Sequence, residues 1–468
     1  GRLVDTYVSN NKFFPSSNNI GDYNYLNYFS SGEWDTRYNY LIEQEGIYIG
    51  YKYFETRYED TILNKGSARD NFNYYNQVIY PFGYGLSYSN FKQEIIDVKK
   101  YNDEINIDVK VTNIGNYESK DVVQLYYQSE YTLFDQINNI EKSSVNLIAF
   151  EKTKLLKPNE EQIISLKINL SSLVSYDYKI NKTYLLEKGN YYLSIGEDSH
   201  AALNNILANK GKNKDNGMVD SRGKSTDGNN KLSYKITINE DDFETFSKSE
   251  YTNYKIENQL QDGDVNLYEG TKDQKQKYLS RSNWLDTYPT PIILKCINDI
   301  MVSDMQYGHG TIDDTGYEMP LYSTKTIDDS FFDKYTDLKE KKLKLIMLLD
   351  LEYDDPVWDD LLNQFSFQEM NYLLSGGYLN VNGSSKGLPA GKADDGSSGV
   401  RTKNPTFGTL MGFSNETLMA QTWNKELVKE LGEAFGHECF HAGVHQLYAP
   451  TCNTHRTPYG GRNWECFS

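Results

Sequence analysis

The sequence predicts a multidomain chain: an antiparallel β-sandwich in the middle, a region of short elements before it and a parallel α/β region after it. Three observations carry that prediction. From about residue 92 to 240, apolar and polar residues alternate in short runs separated by turn residues. Residues 209–230 are almost free of apolar side chains. Beyond about residue 285 the apolar spacing becomes helical, and a strand-like run leads into a Gly/Pro-rich loop.

The first 90 residues are rich in Tyr and Asn, and their most ordered-looking piece is Glu45–Glu55. Gly83 and Gly85 lie between aromatic residues and suggest a tight backbone bend under the rings. The alternating runs are Ile105, Ile107, Val109 and Val111, then Ile164, Leu166, Ile168 and Leu170, then Tyr191, Leu193 and Ile195. Period-2 runs broken by turns at Asn113–Asn116, Lys157–Glu160 and Glu187–Asn190 argue for a sandwich. The polar stretch 209–230 cannot bury enough surface to offset its ordering entropy, so a mobile loop is expected there. Leu232, Tyr234, Ile236 and Ile238 then read as a last strand rejoining the sandwich.

Further on, Ser366 with Glu369 fits a capping box, followed by Met370, Leu373 and Leu374 at helical spacing. A second helix starts near Asn424, with Leu427, Leu431, Ala434, Phe435, Glu438 and Ala442 on one face. His445–Pro450 reads as a buried strand. Helix, strand and loop in succession suggest a parallel α/β domain with its chemistry on the loops beyond the strand ends.

Composition narrows the function classes. The 468 residues carry a net charge of −18, which disfavours nucleic acid and anionic membranes as partners. No stretch approaches the ~20 apolar residues of a membrane-spanning helix, so no transmembrane segment is expected. Forty Tyr, 20 Phe and 5 Trp are more aromatic surface than a disordered chain holds. Four cysteines are too few for a disulfide scaffold and lean towards reduced thiols and the cytoplasm. Residue 1 is Gly and no signal segment follows, so the chain is read as part of something longer.

His437-Glu438-Cys439-Phe440-His441 matches the HExxH pattern of zinc peptidases. Its geometry argues against a metal site, because Glu438 lies on the apolar stripe while both His residues sit at its polar edge. Cys439, Cys452 and Cys466 with His441 and His455 show no zinc-ligand spacing.

Two loops are more persuasive. Ala393–Arg401 places carboxylates before a Gly-rich bend, where a carboxylate could accept hydrogen bonds from neighbouring sugar hydroxyls. An ordinary Asp-Gly turn is the plainer alternative. Asn453–Glu465 gathers Arg456 and Arg462 from a chain with only nine Arg, directly after the expected strand. Arg forks fix polar groups through paired hydrogen bonds, and pairing with buried carboxylates is the structural alternative.

These and other blocks together resemble family 3 glycoside hydrolases, in particular β-glucosidases whose domains run in reversed order. Gly1–Tyr7, Glu45–Tyr53 and Tyr80–Phe91 look like the end of that family's α/β-sandwich domain. The alternating region resembles its fibronectin type III-like domain. Leu279–Trp284, Asp394–Arg401, Phe413–Trp423 and Ala449–Ser468 look like the connector and the start of its TIM barrel. The resemblance implies four parts: residues 1–91, residues 92–240 with a mobile insertion near 209–230, a connector at 241–285, and the N-terminal part of a barrel at 286–468.

It also implies roles. The family's Asp-Gly-Pro and Gly-Arg-aromatic-Glu loops hold the sugar at the −1 subsite, and these fall on Asp395 and Arg462, with Arg401 in support. Ser397 stands where the family has Pro. The family's nucleophilic Asp, acid/base Glu and Lys-His pair would lie outside these 468 residues, so no catalytic residue is assigned. A partial barrel exposes strand edges, so the chain alone is expected to be inactive and its last third poorly folded. The implied reaction is retaining hydrolysis of a terminal β-D-glucosyl residue from an oligosaccharide or aryl β-glycoside, with no metal or organic cofactor. Sugar specificity and oligomeric state stay open. The other readings are a non-catalytic carbohydrate-binding or adhesive module and, behind it, the zinc peptidase.

Overall fold

The computed structural model describes residues 1–18, 27–28, 34–35, 42–258, 264, 266, 277–289, 343–365, 369–370, 373–374, 388, 391–401 and 410–468. Two compact units emerge. One holds Gly1–Met305, Thr417–Lys425 and Cys452–Ser468; the other holds Gln306–Glu416 and Glu426–Thr451.

The first unit is built on seven antiparallel strands. β1 (Phe91–Tyr101), β2 (Glu104–Asn113) and β5 (Glu161–Asn169) form one sheet, in the order β1-β2-β5. β3 (Val122–Ser129), β4 (Asn146–Lys152), β6 (Gly189–Gly196) and β7 (Ser233–Ile238) form the other, ordered β7-β6-β3-β4. The expected alternation sets the register. Ile105 faces Ile168, Ile107 faces Leu166 and Val109 faces Ile164. All are buried in one core with Val123, Leu125, Tyr191, Leu193 and Ile195 from the second sheet. A one-residue slip would turn each of these side chains to the opposite face. The last expected strand does rejoin the sheet, pairing Ile236 with Tyr191, although Tyr234 on it is exposed.

The second sheet is covered on its other face as well. Helices α1 (Tyr51–Ile62) and α2 (Ser199–Asn209) bring Tyr53, Phe54, Tyr58, Ala202, Leu203 and Leu207 into a core with Tyr126 and Trp284. The polar face of α1, with Glu55, Thr56, Glu59 and Asp60, is buried as well. Arg281 donates to both Asp60 carboxylate oxygens and, at 2.7 Å, to Glu59; Lys210 reaches Glu59 at 2.8 Å. The indole of Trp284 donates to Asp60 at 3.1 Å. Charges out of water are tolerated only when paired in this way.

Residues 209–230, read as mobile for want of apolar side chains, have definite partners. Met218 is fully buried, and Thr226 N–H donates to the Met218 carbonyl at 3.1 Å. Asp220 accepts from the backbone of Arg222 and Lys224, and Asn205 accepts from Asn229 N–H. Short polar side chains thus satisfy the backbone where apolar packing is thin.

In the second unit, α3 (Lys425–Ala442) forms where the helical spacing places it. Its apolar face is only half-buried, and no residue of α3 is fully buried. β8 (Ala393–Asp395) pairs in parallel with β9 (Gln446–Tyr448). The expectation of a buried strand at 445–450 is corrected here: Gln446 and Tyr448 are exposed, because β8 is the only strand beside β9 among the described residues. Ser366, the expected helix cap, lies outside the described residues, as do residues 290–342. Among the described residues, no helix is long and apolar enough to cross a membrane.

Candidate functional site

The Asp loop leaves the C-terminal end of β8. Asp395 is the last strand residue, opposite Tyr448 across the parallel pair. The chain then turns back on itself, with Arg401 N–H donating to the Asp395 carbonyl at 3.2 Å and Phe413 N–H to the Ser398 carbonyl at 2.8 Å. Glycine is required twice in this turn. A Cβ on Gly396 would lie 2.2 Å from the Gly399 carbonyl oxygen, and Gly399 has φ +137 with the Met411 carbonyl 2.5 Å from an added Cβ. The Asp395 carboxylate accepts from Arg401 Nη1 at 2.8 Å, and the Arg401 side chain is 73% exposed. An ion pair that open contributes little to stability. Asp394 Oδ1 accepts from Asp395 N–H, whereas its Oδ2 and the Ser398 hydroxyl are buried with no hydrogen-bond partner among the described residues.

The Arg loop follows β9 along the chain, and its residues from Cys452 onward belong to the first unit. It is held down by its own polar residues. His455 Nδ1 lies 2.9 Å from the Asp5 carboxylate and its Nε2 lies 3.2 Å from the Cys466 carbonyl oxygen. Burial opposes the charge on this imidazole, but Asp5 overrides it and raises the pKa. Arg456 forms an ion pair with buried Glu45, its Nη2 donating at 2.9 Å, and Ser16 Oγ donates to the Arg456 carbonyl at 2.6 Å. Thr417 Oγ1 donates to the Asn463 and Cys466 carbonyls.

The two Arg residues that the sequence groups together therefore separate. Arg456 makes the structural pairing with a buried carboxylate. Arg462 caps the short turn Asn463–Glu465, donates from Nε to Glu465 at 2.8 Å and is 78% exposed. Sequence reasoning did not single out His455 and Asp5 as anchors of this loop. Only Asp5, in the first block of the resemblance, hinted at it.

Glu438 of the HExxH motif is half-buried and accepts from Met411 N–H at 3.2 Å, while His437 and His441 are exposed. Among the described residues, no three His, Cys, Asp or Glu are grouped to hold a metal ion.

A two-sheet antiparallel sandwich inside a larger chain that also carries a parallel strand pair defines the class, a multidomain protein with a fibronectin type III-like module. Residues 121–199, β3 to the start of α2, match the fibronectin type III-like domain family. Over its whole length the chain is similar to curated β-glucosidases. It is 25% identical to β-glucosidase A of Butyrivibrio fibrisolvens across 100% of its residues and 49% of that protein. It is also 25% identical to a β-glucosidase of Ruminococcus albus, across 100% of its residues and 39% of that protein. The chain thus spans half or less of the length of these curated relatives. Its fold is similar to the crystal structure of a β-glucosidase from Paenibacillus barengoltzii, with TM-score 0.55 and 20% identity over 100% of this chain and 42% of that one.

Proposed function

We propose that this chain is part of a retaining β-glucosidase in which the Asp395 carboxylate, steadied by Arg401, and the Arg462 guanidinium each bind sugar hydroxyls. The likeness to β-glucosidases along the whole chain is the observation that carries this reading. Local geometry supports it. β8 and β9 run parallel, so the chain leaves both at their C-terminal ends, the side where α/β folds place their ligands. Asp395 stands at one of those ends, and the segment bearing Arg462 follows the other. Asp395 keeps a partly exposed carboxylate, and Arg462 keeps an exposed fork.

Double displacement needs two carboxyl groups about 5–5.5 Å apart, one as nucleophile and one as acid/base. The reading assigns neither to this chain, and places both in the remainder of the longer protein. No metal is invoked. The test is release of the aglycone from an aryl β-D-glucoside, by the 468-residue chain and by the same chain joined to its flanking coding sequence. Turnover by the longer protein alone is expected. Turnover by the chain alone would overturn the placement of the carboxylates. Turnover by neither would remove the glycosidase reading and favour a carbohydrate-binding module.

A further inference from the structure

His200 is fully buried on α2, and both of its ring nitrogens face acceptors. Nδ1 lies 2.8 Å from Glu55 Oε2, on α1, and Nε2 lies 2.9 Å from the carbonyl oxygen of Val219. A neutral imidazole carries one N–H, so it can serve only one of these contacts while Glu55 is ionised. The arrangement therefore holds one dissociable proton, on whichever side of the Nδ1–Oε2 bond it rests. The other groups facing the pair do not supply it. Tyr74 Oη donates to Glu55 Oε1 at 2.6 Å and its ring stacks on the imidazole, while Ser199 Oγ donates to the same carboxylate. Tyr58 accepts from Val219 N–H at 2.9 Å, and Asn204 Nδ2 donates to the Val219 carbonyl at 2.8 Å. Asp198 is spent on capping α2 through Ala201 N–H, and burial pushes its carboxyl up to about 6. Glu197 and Asp220 complete the charged neighbours.

We propose that the shared proton of the His200–Glu55 pair is a pH-sensitive clasp that helps to pin the 210–230 segment to α1 and α2 through the Val219 carbonyl, and that its loss loosens the segment there. Met218 is the only fully buried apolar residue of the segment, whose other anchors are polar: Tyr58 and Asn204 at Val219, and Asn205 at Asn229 N–H. When the proton leaves, either Nδ1 faces the carboxylate or Nε2 faces the carbonyl with lone pair against lone pair. The Val219 carbonyl keeps Asn204 Nδ2 as a donor, so it is the ring–carbonyl contact that opens, while Glu55 stays fixed by Tyr74 and Ser199. The direction of titration agrees. Burial opposes charging of His200, but Glu55 and Asp198 outweigh it and raise its pKa. A raised pKa gives stability that is complete below the ordinary value of 6.5 and is lost as pH climbs through the folded value.

Amide hydrogen exchange of the full chain from pH 6.5 to 9.5, corrected for intrinsic rates, tests this. Protection at Val219, Asp220 and Thr226 is expected to fall by about tenfold per pH unit in the upper part of the range, while β2 amides stay level. Glu55→Gln keeps every contact without the proton. Its amide can donate to Nδ1 and its oxygen can accept from Tyr74, so protection in that variant is expected to be flat with pH. Level protection in the wild type, or the same fall in Glu55→Gln, would overturn the clasp. The ring ¹⁵N signals of His200 give a readout without substitution. A single neutral tautomer at pH 6.5, with no proton shared with Glu55, would also overturn it.

Discussion

Helices α1 and α3 invite comparison. α3 shows a regular apolar stripe, is recognisable from its sequence, and ends only half-buried. α1 shows a stripe too, Tyr51, Phe54, Tyr58 and Ile62, yet nine of its twelve residues are buried, Glu55, Arg57, Glu59 and Asp60 among them. A stripe marks the apolar face of a helix and does not say whether the opposite face is wet. A helix enclosed on all sides must bring a partner for each charge, and those partners are distant in sequence: Arg281 for Glu59 and Asp60, His200 for Glu55. What holds α1 is pairing as much as apolar burial.

The largest effect is expected from removing the shared partner. Arg281→Ala leaves buried Asp60 without its cation and Glu59 with Lys210 alone, and should lower unfolding free energy by about 3–5 kcal/mol in a urea titration. The α3 counterpart, Phe435→Ala, should cost well under the ~3–5 kcal/mol of a fully buried Phe, since its ring is only half-buried against Phe413. Equal losses would break the comparison.

Acid sharpens it. Burial pushes the Glu59 carboxyl up, but Lys210 and Arg281 overcome this and hold it at about 2. Its contribution is therefore complete above the ordinary value of 4.5 and is lost as pH falls towards 2. Exchange protection of α1 should fall over that window, and Glu59→Gln should remove the dependence. Glu187 has the opposite sign. Burial raises its pKa to about 7 against the attraction of Lys142, so its contribution is complete below 4.5 and lost as pH rises through 7. Glu187→Gln should flatten that limb of the stability profile.

The smallest effect separates the two arginines of one loop. Arg456→Ala removes the guanidinium paired with buried Glu45 and should lower the melting temperature. Arg462→Ala, whose side chain lies open, should stay within about 0.5 kcal/mol of the parent chain. A loss at Arg462 matching that at Arg456 would mean that its role is structural.

The same physics decides what was legible beforehand. β2 and β5 have one wet face each, and their alternation was plain. β3, with sequence Val-Val-Gln-Leu-Tyr-Tyr-Gln-Ser, is buried on both faces and shows no alternation, so neither it nor its neighbour β4 was singled out. α2 did carry a readable signal, Asp198 as cap before Ala202, Leu203, Ile206 and Leu207 at helical spacing. It was hidden by the polar stretch that follows. At the candidate site, residue types and loops were legible, but which arginine is structural was not. That depends on Glu45, a residue 411 positions away in the chain.

The most direct test of the account is kcat/KM for an aryl β-D-glucoside in the longer protein, comparing Asp395→Asn and Arg462→Gln with the parent. Each should lower it by tenfold or more, as expected for losing a charged hydrogen bond worth about 1.5–3 kcal/mol, with the melting temperature unchanged. Parent-like kcat/KM in both variants would contradict a sugar-binding role for these two side chains.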